Sequence, residues 1–286
     1  MPGTLYVVAT PIGNLDDLSS RALETLRSVA CIACEDTRRT RKLLARHGID
    51  ARTVSCHKHN EQERVERVLP ILRRGESVAL VSDSGTPGIA DPGSILVRSA
   101  ALEGIAVVPI PGPSAVAALL SVSGISADRF VFDGFLPSRA GERRRRLREL
   151  SRETRCVVVF EAPHRIRTTL EDLATILGGR PLVLGREITK RHETILRGSA
   201  QDLIRSLGVE EVRGEIVLAF PGASERPEGP AQEPASEVVE AWRAALHETG
   251  GDAREALRLA ARALKMKRPA LYRLLAELHE IGGRGA

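Results

Sequence analysis

The chain lacks long apolar runs and has few aromatic residues. No stretch of its 286 residues approaches the roughly 20 apolar residues that a membrane-spanning helix needs. The N-terminal segment MPGTLYVVAT carries no basic region ahead of its apolar residues, so we expect no signal peptide, no membrane partner and a cytoplasmic location. Aromatic residues make up 3% of the chain, which disfavours a single-strand nucleic-acid binder that works by base stacking.

Several familiar nucleotide-binding and catalytic motifs are also missing. The loop ATPIGNL does not contain G-x-G-x-x-G, which disfavours a dinucleotide site. No G-x-x-x-x-G-K-[ST] sequence is present, so the chain is not a P-loop nucleoside triphosphatase. The absence of G-x-S-x-G weakens a hydrolase interpretation. A nucleoside-type ligand held by backbone groups fits the loops better than a pyrophosphate does.

The chain has four cysteines, and the spacing of two of them is ambiguous. Cys31-x-x-Cys34 invites a zinc or redox interpretation, with Cys56 and His57 further along the chain. The segment VACIACED, however, has the pattern of a buried strand, in which residues three apart lie on opposite faces of the sheet. We therefore expect small, buried core thiols and predict no metal site.

Positive charge is concentrated in one segment, residues 138–155. The net charge of +5 and the pI of about 9.3 permit an anionic partner without requiring one. Two interpretations of the segment stay open: a solvated helix face or a phosphate-binding surface. Its arginines are Arg139, Arg143, Arg144, Arg145, Arg146, Arg148, Arg152 and Arg155.

Apolar segments and helical patterns alternate over the first part of the chain. Short runs rich in Val and Ile, separated by segments with a period of 3.6 residues, predict βαβ units and a parallel sheet covered on both faces. This is the expected N-terminal α/β domain, residues 1–113. Its predicted strands are 5–10, 30–35, 51–56, 77–83 and 105–112.

The second part predicts another α/β domain, residues 114–222. Strand-like segments at 180–188 and 192–200 are so close that we expect a hairpin, which makes the second sheet mixed. Ser199 and Asp202 form a capping-box pattern at the start of the next helix. The other predicted strands are 129–137, 155–161 and 214–220.

A Pro-, Gly- and Glu-rich linker, residues 223–234, precedes three short amphipathic segments in 235–286. They predict a small three-helix module similar to a helix-turn-helix bundle. The basic residues Lys265 and Lys267 precede its last helix. The module either binds nucleic acid or serves packing or dimerisation, and the sequence leaves both open.

Three loops that follow predicted strands of the first sheet mix glycine with proline. They are ATPIGNL, SDSGTPGIADPG and PIPGPSA. Glycine lets the backbone approach a ligand, and proline keeps a loop rigid. Because ligands of open parallel sheets bind beyond the carboxyl ends of the strands, three such loops at one edge predict a small-molecule site. For Val81–Gly93 we favour a ligand-contacting loop over a plain turn.

A series of motifs in this order resembles the tetrapyrrole-methylase-like (class III) S-adenosylmethionine-dependent methyltransferases. The motifs are LYVVATPIGNLDDLS, EDTRRTRKLL, HKHNE, VSDSGTPGIADPG, PIPGPSA, GFLP, FEAPHR and REITKRHE, and the resemblance covers about residues 5–220. It implies two α/β domains with S-adenosylmethionine in the cleft between them, usually in a homodimer. Within the family the motifs are most similar to the branch that methylates the ribose 2′-hydroxyl of a cytidine in the decoding region of 16S rRNA.

The resemblance also implies cofactor-binding positions. The family's G-G-D-P-type loop aligns with Ser84–Pro87, and Thr86 replaces its acidic residue, which puts a carboxylate contact there in doubt. The implied cofactor residues are Ile12, Gly13, Ser84, Gly85, Thr86, Pro87, Ser114, Ala115 and Ala162.

Methyl transfer to a ribose hydroxyl benefits from a base that accepts the hydroxyl proton. Four residues near predicted strand ends are candidates, and Glu35 and His57 are preferred; the others are Glu161 and His164. Polar residues at these strand ends also have ordinary structural interpretations: Asp36 caps a helix, Glu61 satisfies a helix dipole, and His164 only orients its loop. The predicted RNA-binding residues are Arg38, Arg143, Arg144, Arg145, Arg146, Arg165, Lys190, Lys265 and Lys267.

Two other functions remain as alternatives. A methylase of the same fold acts on a tetrapyrrole or another small molecule, but the arginine-rich helix and the basic C-terminal module argue against it. A non-catalytic RNA-binding protein uses the C-terminal module alone, but the complete set of loops argues against that. Binding of S-adenosylmethionine distinguishes the second alternative from both enzymes.

Overall fold

The computed structural model describes residues 1–57, 60–208, 211–223, 234–264 and 266–277. They belong to two compact units, Met1–Ala223 and Ser224–Ala286. The first unit contains two five-stranded sheets, and the second contains the C-terminal helices. The predicted boundary between domains 1–113 and 114–222 lies inside the first unit and stays a prediction. Most of the predicted linker 223–234 lies outside the described residues.

The first sheet is entirely parallel, as the alternating pattern predicts. Its order is β3-β2-β4-β1-β5, and every neighbouring pair runs in the same direction. The strands are β1 Thr4–Val8, β2 Cys31–Cys34, β3 Thr53–Ser55, β4 Val78–Val81 and β5 Ala106–Ile110. The helices that alternate with them are α1 Ser20–Ser28, α2 Thr37–Arg46, α3 Glu61–Arg73 and α4 Ser94–Leu102.

Strands β2 and β4 are buried on both faces because helices cover the sheet from both sides. Cys31 belongs to the core formed with α3 and α4, whereas Cys34 belongs to the core formed with α1 and α2. The prediction that these thiols lie on opposite faces is therefore confirmed. Burial raises the pKa of each thiol, and that of Cys56 to about 11, so they are protonated at neutral pH.

The second sheet is mixed and contains the predicted hairpin. Its order is β6-β7-β10-β8-β9; only β6 and β7 pair in parallel, and β8 and β9 form the hairpin. The strands are β6 Phe130–Phe135, β7 Cys156–Glu161, β8 Leu182–Arg186, β9 Thr194–Gly198 and β10 Ile216–Phe220.

Three helices cover one face of the second sheet, and α5 covers the other. The three are α6 Ala140–Leu150, α7 Ile166–Leu177 and α8 Ala200–Ser206. The α5 helix, Ala115–Ser123, follows the first sheet in sequence but packs Val116 and Leu119 against the second. This crossover brings the carboxyl edge of the first sheet beside the second sheet. The capping box at α8 is present, with Ser199 Oγ accepting from Asp202 N at 3.2 Å.

The described part of the C-terminal unit contains the predicted three helices. They are α9 Pro234–Glu248, α10 Ala253–Ala263 and α11 Arg268–Glu277. Trp242 is the largest side chain of their own small core, which also contains Leu271 and Leu275. Asp252 caps α10 by accepting from the backbone of Arg254 and Glu255. Within the described residues, no helix is both long and apolar enough to cross a membrane.

Candidate active site

The three glycine- and proline-containing loops of the first sheet converge. Thr10 and Gly85 exchange two backbone hydrogen bonds, of 2.8 and 3.1 Å, which join the loop after β1 to the loop after β4. Gly85 has a φ of +82°, and a Cβ there would lie 3.5 Å from Ile12 Cγ2 and 3.7 Å from the Pro113 carbonyl oxygen. One glycine thus contacts both of the other loops, and the predicted convergence is confirmed.

A cavity of about 320 Å³ lies between these loops and the second sheet. This volume is within the range of small-molecule sites. Seven of the predicted cofactor residues line the cavity: Ile12, Ser84, Gly85, Thr86, Ser114, Ala115 and Ala162. Pro87 is not among the lining residues, and Gly13 lies in an adjoining open groove. The second sheet and the loops beside it contribute residues that sequence reasoning missed, including Phe160, Ile188, Gly214 and Ile216.

The start of α5 forms one wall of the cavity. Ser114 is its N-cap and accepts from Ala117 N at 3.5 Å, while Ala115 and Val116 of the first turn also line the cavity. A helix N-terminus favours an anionic group because its first backbone amides lack partners within the helix.

The loop between β8 and β9 links the second sheet to the loop after β1. Thr189 Oγ1 accepts from Asn14 N at 3.0 Å, and its own amide donates to Glu193 at 2.6 Å. Thr189 has a φ of +67°, which is rare for a β-branched residue and indicates a constrained turn. A Cβ on Gly13 would lie 2.4 Å from Lys190 Cγ, so this approach of the two loops requires glycine at position 13. Gly13 therefore supports the groove beside the cavity.

Glu61 fixes the far end of the Val81–Gly93 loop. Its carboxylate is buried and accepts from the backbone amides of Gly93, Ile95 and Leu96 at 3.0, 2.7 and 3.2 Å. Glu61 is in the first turn of α3, yet it caps the neighbouring helix α4. This carboxylate therefore holds the C-terminal end of the loop after β4 in place.

Three of the four predicted proton acceptors, His57, His164 and Glu35, do not line the cavity. His164 is exposed, and His57 N donates to Asn60 Oδ1 at 2.8 Å; neither lines the cavity. Glu35 is half-buried after β2, and burial, followed by the charge of Asp83, raises its pKa. Their catalytic roles stay predictions.

Glu161 lines the cavity, but its carboxylate has other partners. The side chain is fully buried and accepts from Thr169 Oγ1 at 2.6 Å and from Ala162 N at 2.7 Å. It also pairs with Arg165 at 2.5 Å, and Arg165 donates further to the Leu136 carbonyl. This arrangement shapes the loop after β7. It gives Glu161 and Arg165 a structural role that needs neither proton transfer by Glu161 nor phosphate binding by Arg165.

Sequence reasoning missed Asp91 and Glu215, two acidic residues that line the cavity. Burial, followed by the charge of Glu35, raises the pKa of Asp91 to about 6. Glu215 is more exposed and pairs with Lys190 at 3.1 Å. The Asp-Pro-Gly sequence that begins at Asp91 also suits an ordinary turn before a helix. The sequence therefore does not distinguish a turn residue from a residue that lines the cavity, whereas the folded loop does.

An exposed aromatic side chain also lines the cavity. Phe135 is 59% exposed and packs edge-on against Phe160, with ring centroids 5.4 Å apart. The β6–β7 register shifts between Phe132 and Phe135, and Gly134 has a φ of +69°. Bulges of this kind redirect a side chain at the end of a strand. Together with the exposed Ile89, Phe135 gives this lining an apolar surface open to solvent.

The family model for Tetrapyrrole (Corrin/Porphyrin) Methylases matches residues 4–204 of this chain. The chain belongs to the tetrapyrrole methylase family. It is a methyltransferase that depends on S-adenosylmethionine.

Curated relatives and solved structures agree with this family. A protein named "Ribosomal RNA small subunit methyltransferase I" from Xylella fastidiosa Temecula1 is 51% identical over 228 residues, covering 79% of this chain and 84% of the relative. A protein of the same name from Synechocystis sp. PCC 6803 is 43% identical over 283 residues, covering 98% of this chain and all of the relative.

Among solved structures, diphthine synthase is similar in fold, with a TM-score of 0.58, 16% identity, and coverage of 76% of this chain and 89% of that one. Uroporphyrin-III-C-methyltransferase from Thermus thermophilus has a TM-score of 0.54 and 20% identity, with coverage of 77% and 93%. At these identities the two structures establish the fold alone.

The residues of the cavity fit S-adenosylmethionine. The N-terminus of α5 suits the carboxylate of the methionine portion, and the carboxylate of Glu215 suits its cationic groups. Ser84 and Thr86 also line the cavity, and hydroxyl groups, which can both donate and accept hydrogen bonds, suit the nucleoside portion. When bound, the cofactor supplies an electrophilic methyl group.

The arginine-rich segment is only partly a surface. Arg143 is buried and pairs with Asp172 on α7 at 2.8 Å, so it is not available to RNA. This corrects the prediction that Arg143 binds RNA. Arg146 pairs with Asp133 and with Glu149. Arg144 and Arg145 remain largely exposed. Burial of Arg143 follows from its position on the apolar face of α6, one turn before Leu147.

The other predicted RNA-binding residues are distributed over the molecule. Arg38 is exposed beside Asp36, and its hydrogen bonds lower the pKa of that carboxyl to about 2. Lys190 lies in the open groove together with Arg46 and Arg191, and it pairs with Glu187 at 2.8 Å. Lys267 is exposed before α11, whereas Lys265 lies outside the described residues.

Proposed function

We propose that this methylase transfers the methyl group of S-adenosylmethionine to the ribose 2′-hydroxyl of a cytidine in the decoding region of 16S rRNA. The observation that carries the proposal is the similarity to the Synechocystis protein named as a small-subunit rRNA methyltransferase. It extends over 98% of the chain and therefore includes the C-terminal helices. The matched tetrapyrrole-methylase region ends at residue 204.

The surroundings of the cavity support a nucleic-acid substrate. The groove that contains Gly13 continues from Ile12 of the cavity and contains the basic side chains Arg46, Lys190 and Arg191. Cationic side chains in a groove beside the cavity suit the phosphates that flank a target nucleotide. The exposed faces of Phe135 and Ile89 suit an unstacked base.

The described residues position the reactants. The loop Ser84–Thr86 and the start of α5 hold the methyl donor, and Glu61 keeps that loop fixed. Because displacement at the methyl group needs the hydroxyl in line with it, most of the acceleration comes from orientation. A positioned base removes the hydroxyl proton and contributes the remainder.

The direct test uses labelled S-adenosylmethionine and small ribosomal subunits that lack the modification. We expect label in 16S rRNA, and 2′-O-methylcytidine after nuclease digestion and mass spectrometry. Naked 16S rRNA in a parallel reaction distinguishes free RNA from the assembled subunit as substrate. Protein that binds the cofactor but transfers no label to either would contradict the proposal.

We further propose that the active form is a homodimer that works on small subunits in the cytoplasm. The family resemblance and the ribosomal substrate support this proposal. Light scattering coupled to size-exclusion chromatography should give twice the chain mass of 31.0 kDa. A monomeric mass at the concentrations used for the methylation assay would contradict it.

A further inference from the structure

We propose that Asp91 is the catalytic residue that accepts the proton of the ribose hydroxyl during methyl transfer. This inference rests on the proposed function, since it assigns a role in the chemistry of the same cavity. It replaces Glu35 and His57, which sequence reasoning preferred.

The first argument is elimination among the carboxyl groups of the cavity. The described lining contains three of them: Asp91, Glu161 and Glu215. Glu161 is fully buried and paired with Arg165, and Glu215 is paired with Lys190. Among the described residues, no lysine, arginine or histidine nitrogen pairs with Asp91. A carboxylate oxygen that is already paired with a cation is less available to a substrate proton, so Asp91 is the acceptor that these contacts leave.

The second argument is the electrostatic environment of Asp91. Carboxyl groups face it from two other segments, Glu35 after β2 and Glu215 before β10, and from Asp83 in its own loop. Arg39 neutralises part of this charge through Asp83, at 3.5 Å, and the Ser82 hydroxyl stabilises the ionised form of Asp91. Burial and the neighbouring charges still prevail and raise the pKa of Asp91 to about 6. At neutral pH such a group is ionised and more basic than an ordinary carboxylate.

The third argument is that the backbone holds Asp91 firmly. Ala90, immediately before it, has a φ of +64°, a conformation that a non-glycine residue adopts only under constraint. Gly88 N donates to the Pro92 carbonyl at 3.2 Å, and Gly93 N donates to Glu61 at 3.0 Å. Asp91 therefore lies directly before two residues, Pro92 and Gly93, whose backbone hydrogen bonds hold it beside the cavity.

The proposed step balances in atoms and electrons. The ribose O–H bond breaks, and its proton passes to a carboxylate oxygen of Asp91. The ribose oxygen forms a bond to the methyl carbon with the electron pair released to it. The bond between that carbon and sulfur breaks, and its electron pair stays on sulfur, which becomes the neutral thioether of S-adenosylhomocysteine. The proton on Asp91 is then lost to water.

The decisive comparison is Asp91→Asn against wild type, with Asp128→Asn as the matched control. Asp128 is an exposed aspartate before β6 and lies outside the cavity lining. We expect the single-turnover methylation rate of Asp91→Asn at pH 7.5 to fall at least about 100-fold, with unchanged calorimetric affinity for S-adenosylhomocysteine. Asp91→Glu should restore part of the rate, and Asp128→Asn should match wild type.

The pH dependence gives an independent readout. The wild-type rate should rise about tenfold per pH unit below pH 6 and level off above it, because the ionised carboxylate is the active form. Asp91→Asn should lose this limb. In the ligand-free protein, the carbon-13 resonance of the Asp91 carboxyl group should titrate near pH 6, well above an ordinary aspartate.

Two results would overturn the inference while leaving the proposed function intact. One is an Asp91→Asn variant with an unchanged rate and pH profile. The other is a variant that loses cofactor affinity but reacts at the wild-type rate when the cofactor is saturating, which would make Asp91 a binding residue. Wild-type protein that labels no RNA would instead contradict the proposed function itself.

Discussion

Individual residues of the cavity are constrained by partners that are distant in sequence. Glu61 contacts backbone amides 32 to 35 residues further along the chain, and Thr189 contacts the amide of Asn14. Such contacts explain why residue-level roles were the least predictable feature. Nothing in the sequence around Glu61 indicates that its carboxylate caps α4 rather than α3.

Replacing Glu61 with Gln tests its role in holding the cofactor loop. The three backbone amides donate to one carboxylate oxygen; the Gln oxygen replaces it without the negative charge that strengthens these bonds, and the Gln amide adds two donors to a buried site. We expect the free energy of unfolding to fall by about 1–3 kcal/mol and the affinity for S-adenosylhomocysteine to weaken. Urea unfolding and calorimetry measure the two effects.

The control for this prediction is Glu63→Gln on the same helix. Glu63 is exposed and pairs with Arg64 and Arg67, and ion pairs of an exposed carboxylate contribute little to stability. If Glu61→Gln binds S-adenosylhomocysteine as tightly as Glu63→Gln does, the loop does not depend on its anchor.

Phe135→Ala tests the apolar surface exposed at the cavity. Loss of an aromatic face should raise the KM for the RNA substrate about 10-fold, because stacking on an aromatic side chain contributes roughly 1–3 kcal/mol per base. The affinity for S-adenosylhomocysteine should stay unchanged. Phe130→Ala is the matched control, since Phe130 is an exposed phenylalanine on the same strand outside the cavity lining. A loss of cofactor affinity alone would show that Phe135 contacts the cofactor.

At the scale of elements, the sequence was most informative about the strands and helices of both sheets. Short apolar runs and 3.6-residue patterns report directly which faces are buried, and both sheet types followed from the spacing of these segments. The sequence is less informative about which element a helix or strand packs against. The α5 helix packs on the second sheet although it follows the first, and Arg143 is buried because its partner Asp172 is on α7. A run of arginines does not reveal which of its members faces the core.

Arg143 and Arg145 should therefore behave in opposite ways when replaced with Ala. Removing Arg143 leaves the largely buried Asp172 without its main partner, so we expect a loss of about 3–5 kcal/mol in the free energy of unfolding. Removing the exposed Arg145 should leave stability unchanged and reduce the salt dependence of RNA binding. Thermal unfolding and filter binding over a range of salt concentrations separate the two. An unchanged salt slope for Arg145→Ala would identify this surface as a solvated helix face.

At the scale of the whole molecule, the chain has two compact units with separate apolar cores. The cavity residues all belong to the first unit, and no sequence argument decides whether the second binds RNA or serves packing. Deleting residues 234–286 should leave the affinity for S-adenosylhomocysteine intact and strongly reduce RNA methylation. If cofactor binding is lost in the shortened chain, the C-terminal unit has a structural role instead.

The central claim is that the loops after β1, β4 and β5 form, together with the second sheet, the binding site for the methyl donor. A crystal structure of the protein with S-adenosylhomocysteine tests this claim most directly. We predict electron density for the ligand in the cavity, in contact with Gly85, Ser114 and Ala162. Density in the groove beside Lys190, or anywhere else on the molecule, would contradict it.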